Sequence, residues 1–158
     1  MAEYPETFPA QARQPLGITA PNRRFDTVIM GANTYRVPGG LPSPYPHLRQ
    51  YVVSRSVTSA PDDVTVISGN LLGYVRRLKE EDGLSIWLCG GSSVAAQLLP
   101  EIDTLLLKVS PVVLGTGRGL FAGEVAPHRF APTTVRTFAD GVVFLELTRT
   151  ADRGHQGP

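Results

Sequence analysis

The chain is short of most of what would mark a special class of protein. It has one cysteine, Cys89, so no internal disulfide can form. A lone cysteine inside an apolar run reads as a small buried hydrophobe, and a reducing, cytoplasmic setting is expected. No apolar run is long enough to span a bilayer, so no membrane partner is expected. Met1-Ala2-Glu3-Tyr4-Pro5 has neither a basic stretch nor an apolar core, and no signal peptide is expected. Charge is sparse and balanced. Charged residues make up 18% and the net charge is +1, and Arg23-Arg24 and Arg76-Arg77-Lys79 are only short local clusters, so no nucleic-acid partner is expected. His47, His128 and His155 are scattered, and no metal-ligand spacing joins them to Cys89 or to paired carboxylates. No metal site is expected. The chain also lacks a Gly-x-Ser-x-Gly elbow, which argues against a hydrolase triad. Gly115-Thr116-Gly117-Arg118-Gly119 is not followed by the Lys-Ser/Thr of a P-loop, which argues against nucleotide hydrolysis.

What remains is an ordinary globular composition, 42% hydrophobic over 158 residues, enough for one domain with a proper core. Residues 1–24 carry Pro5, Pro9, Pro15 and Pro21 and read as an arm of loop with one helical turn near Pro9 to Arg13. Phe25 to Met30 reads as a strand ending at Gly31. Asn33-Thr34-Tyr35 starts a short helix, broken by Pro38-Gly39-Gly40 and Pro42-Ser43-Pro44. Arg49 to Ser54 and Val64 to Ser68 read as the next strands. Asn70 caps a helix from Leu71 to about Asp82, with Leu71, Val75 and Leu78 on one face and Gly83 ending it.

Ser85 to Ser93 is the most informative stretch. The apolar run Ile86-Trp87-Leu88-Cys89 turns through Gly90-Gly91 into a helical pattern, Val94, Ala95, Leu98 and Leu99, that Pro100 stops. A strand that turns through glycines into a helix leaves backbone N–H groups at the helix N-terminus. Those donors and the helix dipole favour an anion. The plain alternative is a tight corner.

Asp103 to Val109 is a strand whose unbroken Leu105-Leu106-Leu107 suits cover on both faces, and Pro111 to Leu114 extends it. Thr134 to Phe138 and Val142 to Arg149 form a hairpin with a two-residue Asp140-Gly141 turn. Ala151 to Pro158 is polar and expected to fray. The expected organisation is an arm over 1–24, one domain over 25–149 and a tail over 150–158. The expected class is α/β, a mixed, mostly parallel sheet flanked by helices and closed by a C-terminal antiparallel hairpin.

Several segments in this order resemble the dihydrofolate reductase-like proteins. Val28 to Tyr35 is similar to their strand–Met-Gly-Arg-x-Thr-Tyr/Trp segment. Tyr51-Val52-Val53-Ser54-Arg55 resembles their next strand, and Ile86 to Ser93 their strand–Gly-Gly–helix segment. Asp103 to Leu114, with Gly115-Thr116-Gly117 and Leu120-Phe121, resembles the C-terminal reductase domain of riboflavin biosynthesis. The resemblance runs from Arg24 to Thr148 and implies the three-layer dihydrofolate reductase-like fold.

It also implies an NADPH-dependent reductase of a pterin-like or pyrimidine-like small molecule, the ribosylamino-uracil reductase of riboflavin biosynthesis being the nearest label, and a homodimer. Carried over, Gly31 and Thr34 flank the cofactor phosphates. Ser54 and Arg55 lie near the adenosine ribose, where Arg55 pairs with a 2′-phosphate. Gly90, Gly91, Ser92 and Ser93 hold the pyrophosphate, with Val94 in the first helical turn. Gly115 and Gly117 lie near the substrate. No proton donor is identified, although Glu3 and Glu6 stand in the arm where the family's acid is approximated.

Two departures stand out. Ala32 replaces the Arg that usually follows Met-Gly, so preference for NADPH over NADH rests on Arg55 or Arg36. The family also opens with an apolar strand, central in its sheet, and no apolar strand precedes Phe25 here. A truncated start, a shifted strand and a segment donated by a partner chain are the three resolutions. The rival function is a dinucleotide-binding or dimerisation module without turnover.

Overall fold

The computed structural model describes residues 4–36 and 40–151. Glu3, Pro38, Gly39, His155 and the tail beyond Ala151 lie outside the described residues. The arm makes a 3-10 turn at Pro5–Thr7 and one helical turn, α1 (Ala10–Arg13). Then follow β1 (Phe25–Gly31), α2 (Ala32–Tyr35), β2 (Arg49–Val53), β3 (Val64–Ile67), α3 (Leu71–Lys79), β4 (Ser85–Gly90) and α4 (Ser92–Leu98). A 3-10 turn at Leu99–Glu101 leads to β5 (Thr104–Val109), β6 (Phe130–Thr137) and β7 (Val143–Arg149).

The first four strands form one sheet in the order β3-β2-β1-β4, and every pair in it is parallel. β1 is central and hydrophobic on both faces, as a strand covered on both sides must be. Val28 and Met30 pack one way, with Tyr45, Leu48, Val52, Val57 and Val64. Ile29 packs the other way, against Ile67, Leu71, Val75, Val94 and Leu98, which brings α3 and α4 onto that face.

The last three strands form a separate antiparallel sheet, β5-β7-β6. The α/β class holds, but the hairpin closes a sheet of its own. Polar straps join the two sheets. Arg24 reaches Glu146 at 2.6 Å, Lys79 reaches Asp103 at 2.8 Å, and Arg149 donates to the carbonyls of Ile102 and Leu99.

Several local expectations need correction. The helix that Asn70 caps, with its side chain accepting from Gly73 N at 3.0 Å, stops at Lys79 and not near Asp82. Gly83 does not end it. Gly83 lies beside Asp26, whose Oδ2 would stand 2.5 Å from an added Cβ and accepts the Leu84 N–H at 2.7 Å. Asp26 thus ties the entry of β4 to β1. The strand at 104–109 does not continue through Pro111 to Leu114, where Val113 is 97% exposed. Nor are Leu105, Leu106 and Leu107 covered on both faces. They are half-buried, and β5 pairs on one edge only. The hairpin turn is wider than Asp-Gly alone. Phe138 N–H donates to Val142 O, leaving Ala139, Asp140 and Gly141 as a three-residue loop with Gly141 at φ +81°. A left-handed third residue is what such loops require.

The arm is pinned by two buried polar contacts. Glu6 is fully buried and its Oε1 accepts the N–H groups of Arg24 at 2.8 Å and Phe25 at 3.0 Å, fixing where β1 begins. His47 Nε2 lies 2.9 Å from the Glu6 carbonyl and, as the donor of that pair, is the protonated ring nitrogen.

Two outcomes follow for stability. Glu6→Ala orphans two backbone donors and lowers unfolding free energy by about 1–3 kcal/mol in urea titrations, while Glu6→Gln, which keeps an acceptor, loses less. An equal loss in both variants contradicts this. Burial also holds the His47 imidazole below its ordinary pKa of 6.5. The unfolded state then binds more protons than the folded one, so stability is present above that value and is lost as pH falls through it. His47→Gln flattens the slope of urea midpoint against pH between about 7 and about 5; an unchanged slope speaks against the assignment.

Candidate functional site

The order β3-β2-β1-β4 carries a topological consequence. From β1 the chain moves to β2 and β3 on one side, then returns to β4 on the other. α2, which follows β1, packs on the Val28 and Met30 face, and α4, which follows β4, packs on the Ile29 face, so the chain leaves to opposite sides and opens a crevice at the carboxyl ends of these two strands, where ligands of parallel sheets bind. A cleft of about 1690 Å³ opens there, lined by Gly31 to Thr34, Val53 to Ser56, Ser68, Gly69 and Gly90 to Ala95, and running on along β4 and β5.

Close packing explains the glycines. Met30 on β1 is in register with Gly90 on β4. A Cβ on Gly31 would sit 3.2 Å from Val94 Cγ2 and 3.6 Å from the Gly90 carbonyl oxygen. Gly90 has φ +143°, which L side chains rarely adopt, and the Gly90–Gly91 peptide bond is cis. The open positions at Gly90 and Gly91 lie 3.5 and 3.8 Å from Thr34 Oγ1. Gly31, Thr34, Gly90, Gly91 and Val94 thus meet at one point. α4 begins at Ser92 with Gly91 as its cap and no side-chain capping bond, and only Ala95 N–H returns to the Gly91 carbonyl. Ser92 and Ser93 line the cleft beside it, and the Ser92 carbonyl accepts the Ala122 N–H at 3.1 Å.

The next loop supplies the rim. Ser54 is buried and its Oγ accepts the N–H groups of Ser56 and Val57 at 3.0 Å each, so its hydroxyl shapes the turn that presents Arg55. Arg55 is exposed and lines the cleft. Arg36 points elsewhere and donates to the Ser56 carbonyl at 2.9 Å, bracing the same loop. Of the basic side chains in the lining, Arg24 and Lys79 are ion-paired. Among the described residues Arg55 and Arg118 make no ion pair, so they are the cations available to an anion.

Gly115 and Gly117 are not brought to this point. Both are exposed and outside the lining, and the segment reaches the cleft through Arg118, Gly119, Leu120 and Phe121. Glu6 is also outside the lining, its Oε1 spent on the start of β1. The lining carboxylates Glu81, Glu101 and Asp103 are all ion-paired, to Arg49, Arg76 and Lys79. Sequence reasoning missed Ser68, Gly69 and Arg118. The first two follow the apolar run of β3 as Gly90-Gly91 follows that of β4, and that shared pattern was their signal. Cys89 also lines the cleft, with Tyr45 Oη 3.8 Å from its Sγ.

Residues 22–144 match the family described as the RibD C-terminal domain. The uncharacterized protein YyaP of Bacillus subtilis (strain 168) is 35% identical over 97 residues, 60% of this chain and 52% of YyaP. The chain thus matches about half the length of this relative. A structure from Shewanella sp. PV-4, named for riboflavin biosynthesis, superposes with TM-score 0.68 at 25% identity, over 80% of this chain and 75% of that one. A Thermotoga maritima diaminohydroxyphosphoribosylaminopyrimidine deaminase/5-amino-6-(5-phosphoribosylamino)uracil reductase superposes with TM-score 0.58 at 19% identity, over 89% of this chain and 48% of that one. The fold is the dihydrofolate reductase-like one of these proteins.

The thiol at the cleft reports on its burial. Desolvation pushes Cys89 up from the ordinary 9.0, and the Tyr45 hydroxyl pulls it partly back. Iodoacetamide, which needs the thiolate, therefore reaches half its maximal rate above pH 9.0. Tyr45→Phe moves that midpoint higher still. A midpoint at or below the ordinary thiol value contradicts this geometry.

Proposed function

The chain belongs to the RibD C-terminal domain family, and from that footing we propose that it is an NADPH-dependent reductase of a pterin-like or pyrimidine-like small molecule. The observation that carries the reading is the meeting of Gly31, Thr34, Gly90, Gly91 and Val94 at the switch point between β1 and β4. The fit test is steric. A Cβ at Gly31 would crowd the place where main chain, the Thr34 hydroxyl and the α4 N-terminus meet. The space an anion needs to approach backbone N–H groups lies beside Gly90 and Gly91, where an added Cβ would meet only Thr34 Oγ1.

In this reading Gly90 to Ser93 hold the dinucleotide's pyrophosphate, with the Thr34 hydroxyl beside it. Arg55 pairs with the 2′-phosphate, replacing the cation that Ala32 cannot supply, and Arg118 is a second cation on the rim. The cofactor supplies a hydride; the protein supplies position and charge. Leu120 and Phe121 give an apolar wall where the substrate ring would lie. Every lining carboxylate is ion-paired, so the proton that accompanies reduction is drawn from water.

A second reading, a dinucleotide-binding module without turnover, is favoured by that same lack of an available carboxylic acid. Both readings meet one experiment. Trp87 lines the cleft two residues before Cys89 on β4, so NADPH binding quenches its fluorescence. Arg55→Ala weakens NADPH about tenfold, roughly 1.4 kcal/mol, and leaves NADH unchanged. Gly31→Val weakens both. Oxidation of NADPH on a pterin and pyrimidine panel supports the reductase; quenching without oxidation supports the module. No quenching up to millimolar NADPH rejects both.

A further inference from the structure

The turn that carries Arg55 is anchored at both ends. Ser54 and Val57 are buried, and the Ser54 N–H donates to the Ile67 carbonyl at 3.0 Å, which ties the turn to the end of β3. Between these anchors Arg55 and Ser56 are exposed. Both main-chain polar groups of Ser56 have partners. Its N–H donates to Ser54 Oγ at 3.0 Å, and its carbonyl accepts from Arg36 Nη2 at 2.9 Å. Arg36 Nη1 lies 3.5 Å from Ser56 Oγ, so two prongs of one guanidinium reach one residue. A planar fork can span two such acceptors; a lysine ammonium cannot.

Arg36 stands outside the cleft. It follows α2 directly, with its N–H on the Ala32 carbonyl at 2.9 Å. It does not line the cleft, whereas Arg55 and Ser56 do. Among the described residues it makes no ion pair. Its contact with Ser56 joins the connection after β1 to the connection after β2, two strands that pair in parallel. A long exposed side chain loses rotamer freedom when it grips a ligand. That cost is smaller where the backbone beneath it is already held.

Resting on the dinucleotide reading above, we propose that Arg36 is a positioning residue for nucleotide selectivity. It touches no nucleotide. It holds the Ser56 carbonyl, fixes the turn and so aims the Arg55 guanidinium at a 2′-phosphate. Discrimination between NADPH and NADH then depends on a brace between two connections as well as on the cation itself. A dinucleotide without the 2′-phosphate is indifferent to the brace.

A double-mutant cycle tests this, read as the ratio of the NADH to the NADPH dissociation constant from Trp87 quenching. Arg36→Ala lowers the ratio about threefold by weakening NADPH, with NADH affinity and the urea midpoint unchanged. Arg36→Lys, which keeps the charge and loses the fork, recovers only part of the loss. In an Arg55→Ala background, Arg36→Ala changes nothing further. Without nucleotide, backbone order parameters at Arg55 and Ser56 fall in Arg36→Ala while those of β2 hold. A ratio that Arg55→Ala lowers and Arg36→Ala leaves unmoved overturns this inference alone, as do unchanged order parameters. Full recovery in Arg36→Lys, or a loss that persists in the Arg55→Ala background, also overturns it, and makes Arg36 a second charge on the phosphate. Equal affinity of the unmodified chain for both nucleotides removes the inference together with the role of Arg55. Binding of neither nucleotide rejects the dinucleotide reading itself.

Discussion

The parallel pairing of β1 with β4 is the contact on which the molecule depends. It places Gly31 against Gly90 and Gly91, brings Val94 onto the β1 terminus and opens the crevice at the strand ends. It also makes β4 one edge of the first sheet, with β3 the other. At its lower end the pairing is held by the Ser85 N–H donating to the Arg24 carbonyl and by one carboxylate. Asp26, at the foot of β1, accepts the Leu84 N–H and fixes the entry of β4. From the other side Glu6 fixes the first residue of β1 through two backbone N–H groups. Strand register is a discrete quantity, and one residue of slip would turn Val28 and Met30 to the face of Ile29.

Much of this is legible in the residues. β1 and β4 show as apolar runs ending in glycine, and Asn70 as a cap, because each signal is local. The crevice is legible too, since a strand running through two glycines into a helix exposes amides whatever the rest of the fold does. What is not legible is long-range. Nothing in Leu105-Leu106-Leu107 says that one edge of the strand stays open, because an unbroken apolar run describes a strand's neighbours only if they are present. α3 reads too long in the residues because Glu80 to Asp82 are acceptable in a helix and Gly83 offers a plausible stop. In the fold Asp26 claims that segment. Gly115 and Gly117 look like a binding loop by composition, yet the lining begins one residue later, at Arg118.

The two sheets are unequal in how they are held. The first has two apolar clusters, one on each face of β1. The second leans on ion pairs and on Arg149, whose guanidinium donates to the Ile102 and Leu99 carbonyls. Buried apolar surface stabilises a fold far more than exposed ion pairs do. Stability is therefore concentrated in β1, β2, α3 and α4, and the cleft forms where the well-packed layer meets the thinly packed one.

In the proposed function the ends of β1 and β4 grip a dinucleotide through backbone amides. Following the amide resonances of a ¹⁵N-labelled chain during titration with NADPH puts this to the test residue by residue. The largest shifts are expected at Gly31, Gly90, Gly91, Ser92, Ser93 and Val94, with Arg55 responding to NADPH and not to NADH. Shifts confined to the small pocket around Ala10, Ile18 and His47, or a spectrum that ignores the nucleotide, would contradict it.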